Sequence, residues 1–367
     1  METVDTLFNE VRVDFCRGVF HSPAPAEQQP AATQATEPEE AQASSSADAG
    51  GAGNAADAYR QAFALIPKDQ AIDEVVTADF GTRSADEMAK ALEAYQPALR
   101  LLAEAAAIAR CDWGNDLAKV GSAPLLPILS QTRQLARVAR FRARCEWAAG
   151  HRENAVDDLR NALVLARHTG GEKNTVLISM LVQTAIEQIT IRTCAEFMAD
   201  AQAADLIEPL VPADESKPRL LSQAVVGEKT LFIPYSRNTT KWPTTLWLDQ
   251  LEKEYDETIR ITALPYSQSQ PQLAVQCVRI KTGINPFAKQ VFPGLTRAQE
   301  EEMRLHVSWA MLRAAIAVSR NGEAALKDAP NPAGTGPFQY RKLDNGFELK
   351  TVLPGVEQPV VMQFGKR

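Results

Sequence analysis

The amino-acid sequence predicts a mainly α-helical fold, an irregular array of helical hairpins that ends in a small antiparallel β-hairpin. Apolar residues recur three or four positions apart through most of residues 56–334, and alanine is abundant there. Both features favour packed helices over sheet. Near the C-terminus, an Asn-Gly pair is flanked by alternating apolar residues, which is typical of a tight turn between two strands.

Two segments precede the predicted helical domain. Residues 1–20 are amphipathic, because their apolar residues recur at near-helical steps. These residues are Val4, Leu7, Phe8, Val11 and Phe15. Residues 21–55 are rich in Pro, Ala, Ser and Gly and contain acids but no Lys or Arg. We expect this acidic linker to be disordered, since it offers too little apolar surface to offset the entropy of ordering. The helical domain then spans 56–334, and the C-terminal hairpin region spans 335–367.

Residues 126–170 predict a helical hairpin around which the other helices pack. The first helix has one apolar face, formed by Leu135, Val138, Phe141, Cys145 and Ala148. Gly150 can adopt the left-handed conformation that ends a helix. The face of the second helix is formed by Ala155, Leu159, Ala162 and Ala166. Small side chains on this face allow the two helices to approach closely.

Start and stop signals mark further helices along the chain. Ser84 with Glu87, and Thr296 with Gln299, match the capping box that opens a helix. Between these two points we expect a kink or a fresh start at Pro97 and a long helix over 176–203. Shorter helices are expected at 217–233, 243–262 and 270–281. The last helix should end at Asn321-Gly322.

The C-terminal region changes from a helical to an alternating pattern. Phe338, Tyr340 and Leu343 precede the turn at residues 344–346, and Phe347 and Leu349 follow it. Residues 360–364 could add a third strand. Because an isolated hairpin is marginally stable in water, we expect it to pack on the last helix.

Composition limits the classes of function. The formal net charge is −7, and most of the acidic excess lies in the linker, so the body is close to neutral. Nucleic-acid binding needs a basic footprint and is not expected. The five cysteines include no Cys-x-x-Cys pair and the four histidines are scattered, so we predict neither a metal site nor a cofactor. We also expect no transmembrane segment and no secretory signal, which favours a cytoplasmic protein.

Four arginines form a stripe on the predicted helix face that lies opposite its apolar residues. They are Arg133, Arg137, Arg140 and Arg144. One interpretation is a strip that binds an anion, namely an acidic protein segment, a phosphate or a lipid surface. The other is a solvated face whose arginines pair with Glu146, Asp157 and Asp158. The acidic linker could itself be the anion.

Three tryptophans are further candidates for binding. Trp113, in the sequence Cys-Asp-Trp-Gly, either stacks in a pocket next to a nucleophilic Cys111 or closes the core where a helix stops. Trp242 and Trp247, together with Tyr235, either line a groove for a ligand or seat the start of a helix.

Several short motifs resemble those of known helical proteins. Residues 134–168 resemble half of a tetratricopeptide-like repeat, through Gly150, Ala155 and Ala162. Over roughly 90–350 the chain resembles a group of uncharacterised bacterial helical proteins of the planctomycete type. The shared motifs are Cys111-Asp112-Trp113, Leu135-Ala136-Arg137, Ala155 with Asp158-Leu159, Leu165-Ala166-Arg167-His168, Gly336-Pro337-Phe338 with Tyr340-Arg341, and Asp344 with Gly346-Phe347. The resemblance implies attachment to the cell envelope through an N-terminal apolar segment, which we do not find in this sequence. It implies no catalytic residue, because the activity of the group is unknown.

These observations predict a non-enzymatic binding or scaffold module with an unknown protein partner. The arginine stripe would fit an acidic segment of that partner. The alternative is a hydrolase or transferase with a site between helices, which would show convergent polar groups in a deep pocket. The sequence predicts no catalytic residue for it.

Overall fold

The computed structural model describes residues 53–114, 125–171, 175–200, 202–212, 220–239, 245–292, 294–334 and 336–365. The amphipathic segment 1–20 and nearly all of the predicted linker lie outside these ranges. The chain from Asn54 onward belongs to one compact unit.

The described residues contain twelve α-helices and one small sheet, which confirms the predicted fold class. The helices are α1 (Ala55–Ala64), α2 (Gln70–Thr77), α3 (Ala85–Ala106), α4 (Leu125–Ala148), α5 (Arg152–Thr169), α6 (Leu177–Phe197), α7 (Ala203–Ile207), α8 (Leu220–Thr239), α9 (Thr245–Thr262), α10 (Tyr266–Thr282), α11 (Pro286–Val291) and α12 (Leu295–Asn321). Short 3-10 helices span Glu208–Leu210 and Glu323–Lys327. One long helix was expected over 176–203. Helix α6 instead ends at Phe197, and the separate helix α7 begins at Ala203, the last residue of the expected range.

The predicted helical hairpin is formed by α4 and α5. Gly150 has a φ of +88°, and the His151 amide donates to the Glu146 carbonyl at 2.9 Å, so the chain reverses between the helices as expected. The predicted apolar face of α4 is buried at Leu135, Val138 and Phe141, half-buried at Cys145 and exposed at Ala148, and burial is not confined to this face. Every side chain from residue 131 to residue 147 is buried or half-buried, because α1, α2, α3, α5 and α6 all contact this helix.

The two predicted capping boxes have different outcomes. The Ser84 hydroxyl accepts from the Glu87 amide at 3.3 Å and a Glu87 oxygen accepts from the Ser84 amide at 2.9 Å, so this box is confirmed. The second box does not form. Helix α12 begins at Leu295, one residue before Thr296, and the Gln299 side chain instead donates to the buried Ser269 hydroxyl at 2.8 Å. Helix α3 continues through Pro97.

Two hydrophobic clusters fill the part of the described core that lies C-terminal to α4, and further buried residues, including Tyr59, Leu99 and Leu135, lie on α1, α3 and α4. One joins α5, α6 and α12 to the sheet, and includes Leu159, Ile191 and Leu349. The other joins α8, α9, α10 and α11 to the start of α12, and includes Met180 from the first turn of α6. Helix α6 therefore has one end in each cluster.

The C-terminal sheet has three antiparallel strands in the order β1 (Gln339–Leu343), β2 (Gly346–Thr351) and β3 (Val360–Phe364). Leu343 pairs with Gly346 across the predicted turn, and Phe347 pairs with Phe364. One face of the sheet packs against α6 and α12. The turn, the third strand and the docking on the last helix are thus confirmed.

Candidate functional site

Two residues of the predicted arginine stripe, Arg140 and Arg144, lie at the contact between α4 and α6. The interpretation of the stripe as a solvated face is wrong, because all four of its arginines are half-buried. Nε of Arg140 donates to the Thr193 hydroxyl at 3.1 Å, and its Nη2 lies 3.6 Å from Oε1 of Glu196. Nε of Arg144 lies 2.9 Å from the other oxygen of Glu196. Helix α6 packs against this side of α4, which also contacts α1, α2, α3 and α5.

We call Arg140, Arg144, Arg192 and Glu196 the arginine cluster. Burial lowers the pKa of Arg140, and the charges of Arg144 and Arg192 lower it further, whereas Glu196 raises it. The guanidinium carbon of Arg144 lies 4.8 Å from the centroid of the Phe80 ring, which is the geometry of a cation–π contact. Two guanidinium groups thus share one carboxylate on a partly covered surface.

The other two arginines of the stripe, Arg133 and Arg137, are half-buried on the preceding turns of α4. The acids that were expected to neutralise the stripe have other partners. Asp158 binds Arg142, which lies off the stripe, while Glu146 lies 2.8 Å from His151 and Asp157 pairs with Arg160. The sequence analysis missed Glu196, although it lies three residues after Thr193 on α6, a spacing that places both residues on one face of the helix.

Trp113 closes part of the core, as one of its two interpretations predicted. Its ring stacks on Tyr59 and Phe63, with centroids 5.8 and 6.1 Å apart, and its Nε1 donates to the His168 carbonyl at 3.0 Å. The Tyr59 hydroxyl contacts Nδ1 of His168 at 3.0 Å. Burial raises the pKa of the Cys111 thiol to about 12, so this thiol stays protonated near neutral pH and is a poor nucleophile.

The predicted groove near the other two tryptophans is only partly described. Trp242 lies outside the described residues. Trp247 is half-buried at the start of α9, where its carbonyl accepts from the Asn285 side chain at 2.8 Å. Trp247 and Trp113 therefore belong to different parts of the fold and do not form one site. Arg237, two residues after Tyr235 on α8, pairs with Asp249 and Glu252.

A cleft of about 620 Å³ lies between α9 and α10. Its charged lining residues are Lys253, Glu254, Glu257 and Arg279. Arg279 pairs with Glu254, and Glu257 accepts two hydrogen bonds from Arg260, which lower its pKa. Three of the four charged side chains in the cleft are therefore engaged in ion pairs.

The sequence analysis did not indicate that two glutamates are buried between helices. Glu228 on α8 accepts from the Leu177 amide at 3.0 Å, and burial raises its pKa to about 7. Glu187 accepts from Gln183 and from Nε1 of Trp309, both at 2.9 Å. The only local signal was their position within otherwise apolar helical stretches, which does not reveal a partner on another helix.

Within the described ranges, no group of His, Cys, Asp and Glu side chains could hold a metal ion. No helix in this part of the chain is long and apolar enough to span a bilayer. Comparisons with protein families, with curated proteins and with solved structures found no match to this chain. The case for a site therefore comes from its geometry.

Proposed function

We propose that this protein is a non-enzymatic binding module whose helical body binds an acidic protein segment at the arginine cluster. The observation that carries the proposal is that Arg140 and Arg144 share a single carboxylate, Glu196. A guanidinium group has five N–H donors, so Glu196 cannot satisfy both of them. The two arginine side chains keep 23% and 22% of their surface exposed, which leaves room for a carboxylate from a partner.

The helix packing prepares this site for a carboxylate. The Thr193 hydroxyl orients the guanidinium group of Arg140, and the Phe80 ring lies against the guanidinium group of Arg144. Because both side chains are already ordered, binding would cost little additional side-chain entropy. A carboxylate from a partner would also offset the repulsion between the two guanidinium groups. Glu196 would compete with it, since it occupies the same donors.

Binding of a fluorescein-labelled oligo-glutamate peptide, followed by fluorescence anisotropy, tests the proposal. Arg144→Gln should weaken binding by about tenfold, because it removes a charge-assisted hydrogen-bond donor. Glu196→Gln should strengthen binding by about fivefold, because the competing charge is lost while the side chain keeps its size. Higher salt should weaken binding of the unaltered protein, since screening reduces the attraction.

Arg160→Gln is the matched control, because Arg160 pairs with an acid of its own helix and lies outside the arginine cluster. Its affinity for the peptide should equal that of the unaltered protein. Equal affinities for Arg144→Gln and Arg160→Gln would show that the peptide does not bind at the cluster. Thermal melts of the three variants establish that each is folded at the temperature of the assay.

A further inference from the structure

The arginine cluster carries more positive than negative charge. Arg140 and Arg144 both face the single carboxylate of Glu196. Arg192 lies one turn before Glu196 on α6 and is exposed. Among the described residues, the charges that act on Arg140 are those of Arg144, Arg192 and Glu196. The cluster therefore has three guanidinium groups for one carboxylate, an excess of two positive charges.

The other acids of α4 and α6 do not offset this excess. Helix α4 contains one acid, Glu146, which pairs with His151 beyond the end of the helix. Besides Glu196, α6 contains only Glu187, which is buried and accepts a hydrogen bond from Trp309 on α12. Asp79 precedes Phe80 in the sequence and is exposed, so solvent and salt screen its charge.

A phosphorylated side chain fits this excess better than a carboxylate does. A carboxylate brings one negative charge and two acceptor oxygens. A phosphate monoester has nearly two charges at neutral pH and three acceptor oxygens. The planar fork of a guanidinium group binds phosphate oxygens in pairs. The three oxygens also point in different directions, so they can face guanidinium groups from both α4 and α6.

We propose that the acidic segment bound at the arginine cluster contains a phosphorylated side chain, whose phosphate dianion binds among Arg140, Arg144 and Arg192. This inference rests on the proposed function and names the chemical class of the group that binds. Glu196 occupies donors of Arg140 and Arg144. The second charge of the dianion allows it to compete with Glu196 more strongly than a glutamate of the partner does.

Binding of three fluorescein-labelled peptides to the full chain, followed by fluorescence anisotropy, tests the inference. They are the oligo-glutamate peptide and two derivatives in which serine or phosphoserine replaces its central glutamate. At about pH 7.5 the phosphoserine peptide should bind about tenfold more tightly than the oligo-glutamate peptide, because its second charge adds charge-assisted hydrogen bonds. The serine peptide should bind most weakly. Inorganic phosphate should displace the phosphoserine peptide only far above that peptide's dissociation constant.

The affinity for the phosphoserine peptide should also depend on pH. The second pKa of a phosphate monoester is about 6, so most of the dianion becomes a monoanion between about pH 7.5 and about pH 5.5. The ratio of its affinity to that of the oligo-glutamate peptide should therefore fall by about threefold. The flanking glutamates are common to both peptides, so this ratio isolates the titration of the phosphate.

Arg192→Gln distinguishes the two kinds of ligand. It should weaken binding of the phosphoserine peptide by about fivefold, because one charge-assisted donor is lost. It should change the affinity for the oligo-glutamate peptide less, since Arg140 and Arg144 suffice for a carboxylate. Arg160→Gln is again the control and should bind both peptides as the unaltered protein does. Both arginines are exposed, so both variants should melt at the temperature of the unaltered protein.

Equal affinities of the phosphoserine and oligo-glutamate peptides, both weakened by Arg144→Gln, would overturn this inference and leave the proposed function standing. So would an Arg192→Gln variant that binds the phosphoserine peptide as tightly as Arg160→Gln does. Displacement of that peptide by inorganic phosphate near the peptide's dissociation constant would also overturn it, because the site would then bind free phosphate. Failure of all three peptides to bind would contradict both proposals.

Discussion

Arg140 and Phe141 are consecutive residues on α4 that stabilise it through different interactions. Phe141 is buried and lies edge-on to Phe80, with ring centroids 6.4 Å apart. Arg140 keeps part of its surface exposed, and its guanidinium group bonds Thr193 and lies near Glu196. A charged side chain in this position contributes to the packing of α4 on α6, besides any role in binding.

Substitution by alanine should therefore give three different losses of unfolding free energy. Phe141→Ala should cost about 3–5 kcal/mol, the usual range for emptying a core aromatic site. Arg140→Ala should cost about 1–3 kcal/mol, because it removes a charge-assisted hydrogen bond to the buried Thr193 hydroxyl. Arg160→Ala, at a side chain that is 48% exposed, should cost less than about 1 kcal/mol. Urea denaturation measures all three, and equal losses for the two arginine variants would place Arg140 at an ordinary exposed site.

Among the elements, those set by local sequence were predictable and those set by tertiary contacts were not. The Ser84 capping box and the Asn345-Gly346 turn depend on residues within four positions of each other. Thr296 and Gln299 also match the capping-box pattern, but the Gln299 side chain donates a hydrogen bond to Ser269, thirty residues away in the sequence. The spacing of the arginines placed Arg140 and Arg144 one turn apart on α4, where both contact Glu196. Their burial by α6 and their pairing with Glu196 depend on how two distant helices pack, which no local pattern encodes.

The turn between β1 and β2 requires glycine for two separate reasons, and substitution can distinguish them. Gly346 has a φ of +121°, and a Cβ built there would lie 1.9 Å from the Phe364 carbonyl oxygen. Gly334 also has a positive φ, of +70°, but a Cβ there would meet nothing within 4 Å. Both positions resist a side chain through backbone strain, whereas only Gly346 also has a steric clash with a neighbouring strand.

Gly334→Val should cost about 1–2 kcal/mol, the strain of a left-handed backbone with a side chain. Gly346→Val should cost about 1–3 kcal/mol more, because overpacking is added to that strain. The difference in unfolding free energy between the two variants measures the contact with β3. A cost for Gly346→Val no greater than for Gly334→Val would mean that β3 moves aside freely and that the sheet is weakly held.

At the scale of the whole molecule, α6 connects the two hydrophobic clusters. Its first turn contributes Met180 to one cluster, and its last turns contribute Ile191 and Phe197 to the other. The start of this helix is capped by a side chain from α8, since Glu228 accepts from the Leu177 amide. Loss of this contact would disturb the helix that both clusters share, so we expect the described body to unfold as one cooperative unit.

The buried Glu228 should make the stability of this unit depend on pH. Burial raises the pKa of Glu228 from its ordinary 4.5 to about 7 in the folded protein. Between these values the folded state binds the proton and the unfolded state does not, so unfolding free energy falls as pH rises. The loss is complete above the folded pKa and should reach about 3 kcal/mol. The nearby Tyr255 hydroxyl has no hydrogen-bond partner among the described residues, so it does not offset the charge.

Glu228→Gln keeps an oxygen for the Leu177 amide but removes the titration. Its unfolding free energy should match that of the unaltered protein near pH 4.5 and exceed it by about 3 kcal/mol at pH 8, as urea denaturation across this range would show. Glu257→Gln is the control with the opposite sign. Hydrogen bonds from Arg260 lower the pKa of Glu257, so losing this carboxylate should slightly reduce stability above its ordinary pKa. The unaltered protein and Glu228→Gln could instead give parallel curves of unfolding free energy against pH. In that case Glu228 is ionised in the folded state, and water or a cation reaches it at the start of α6.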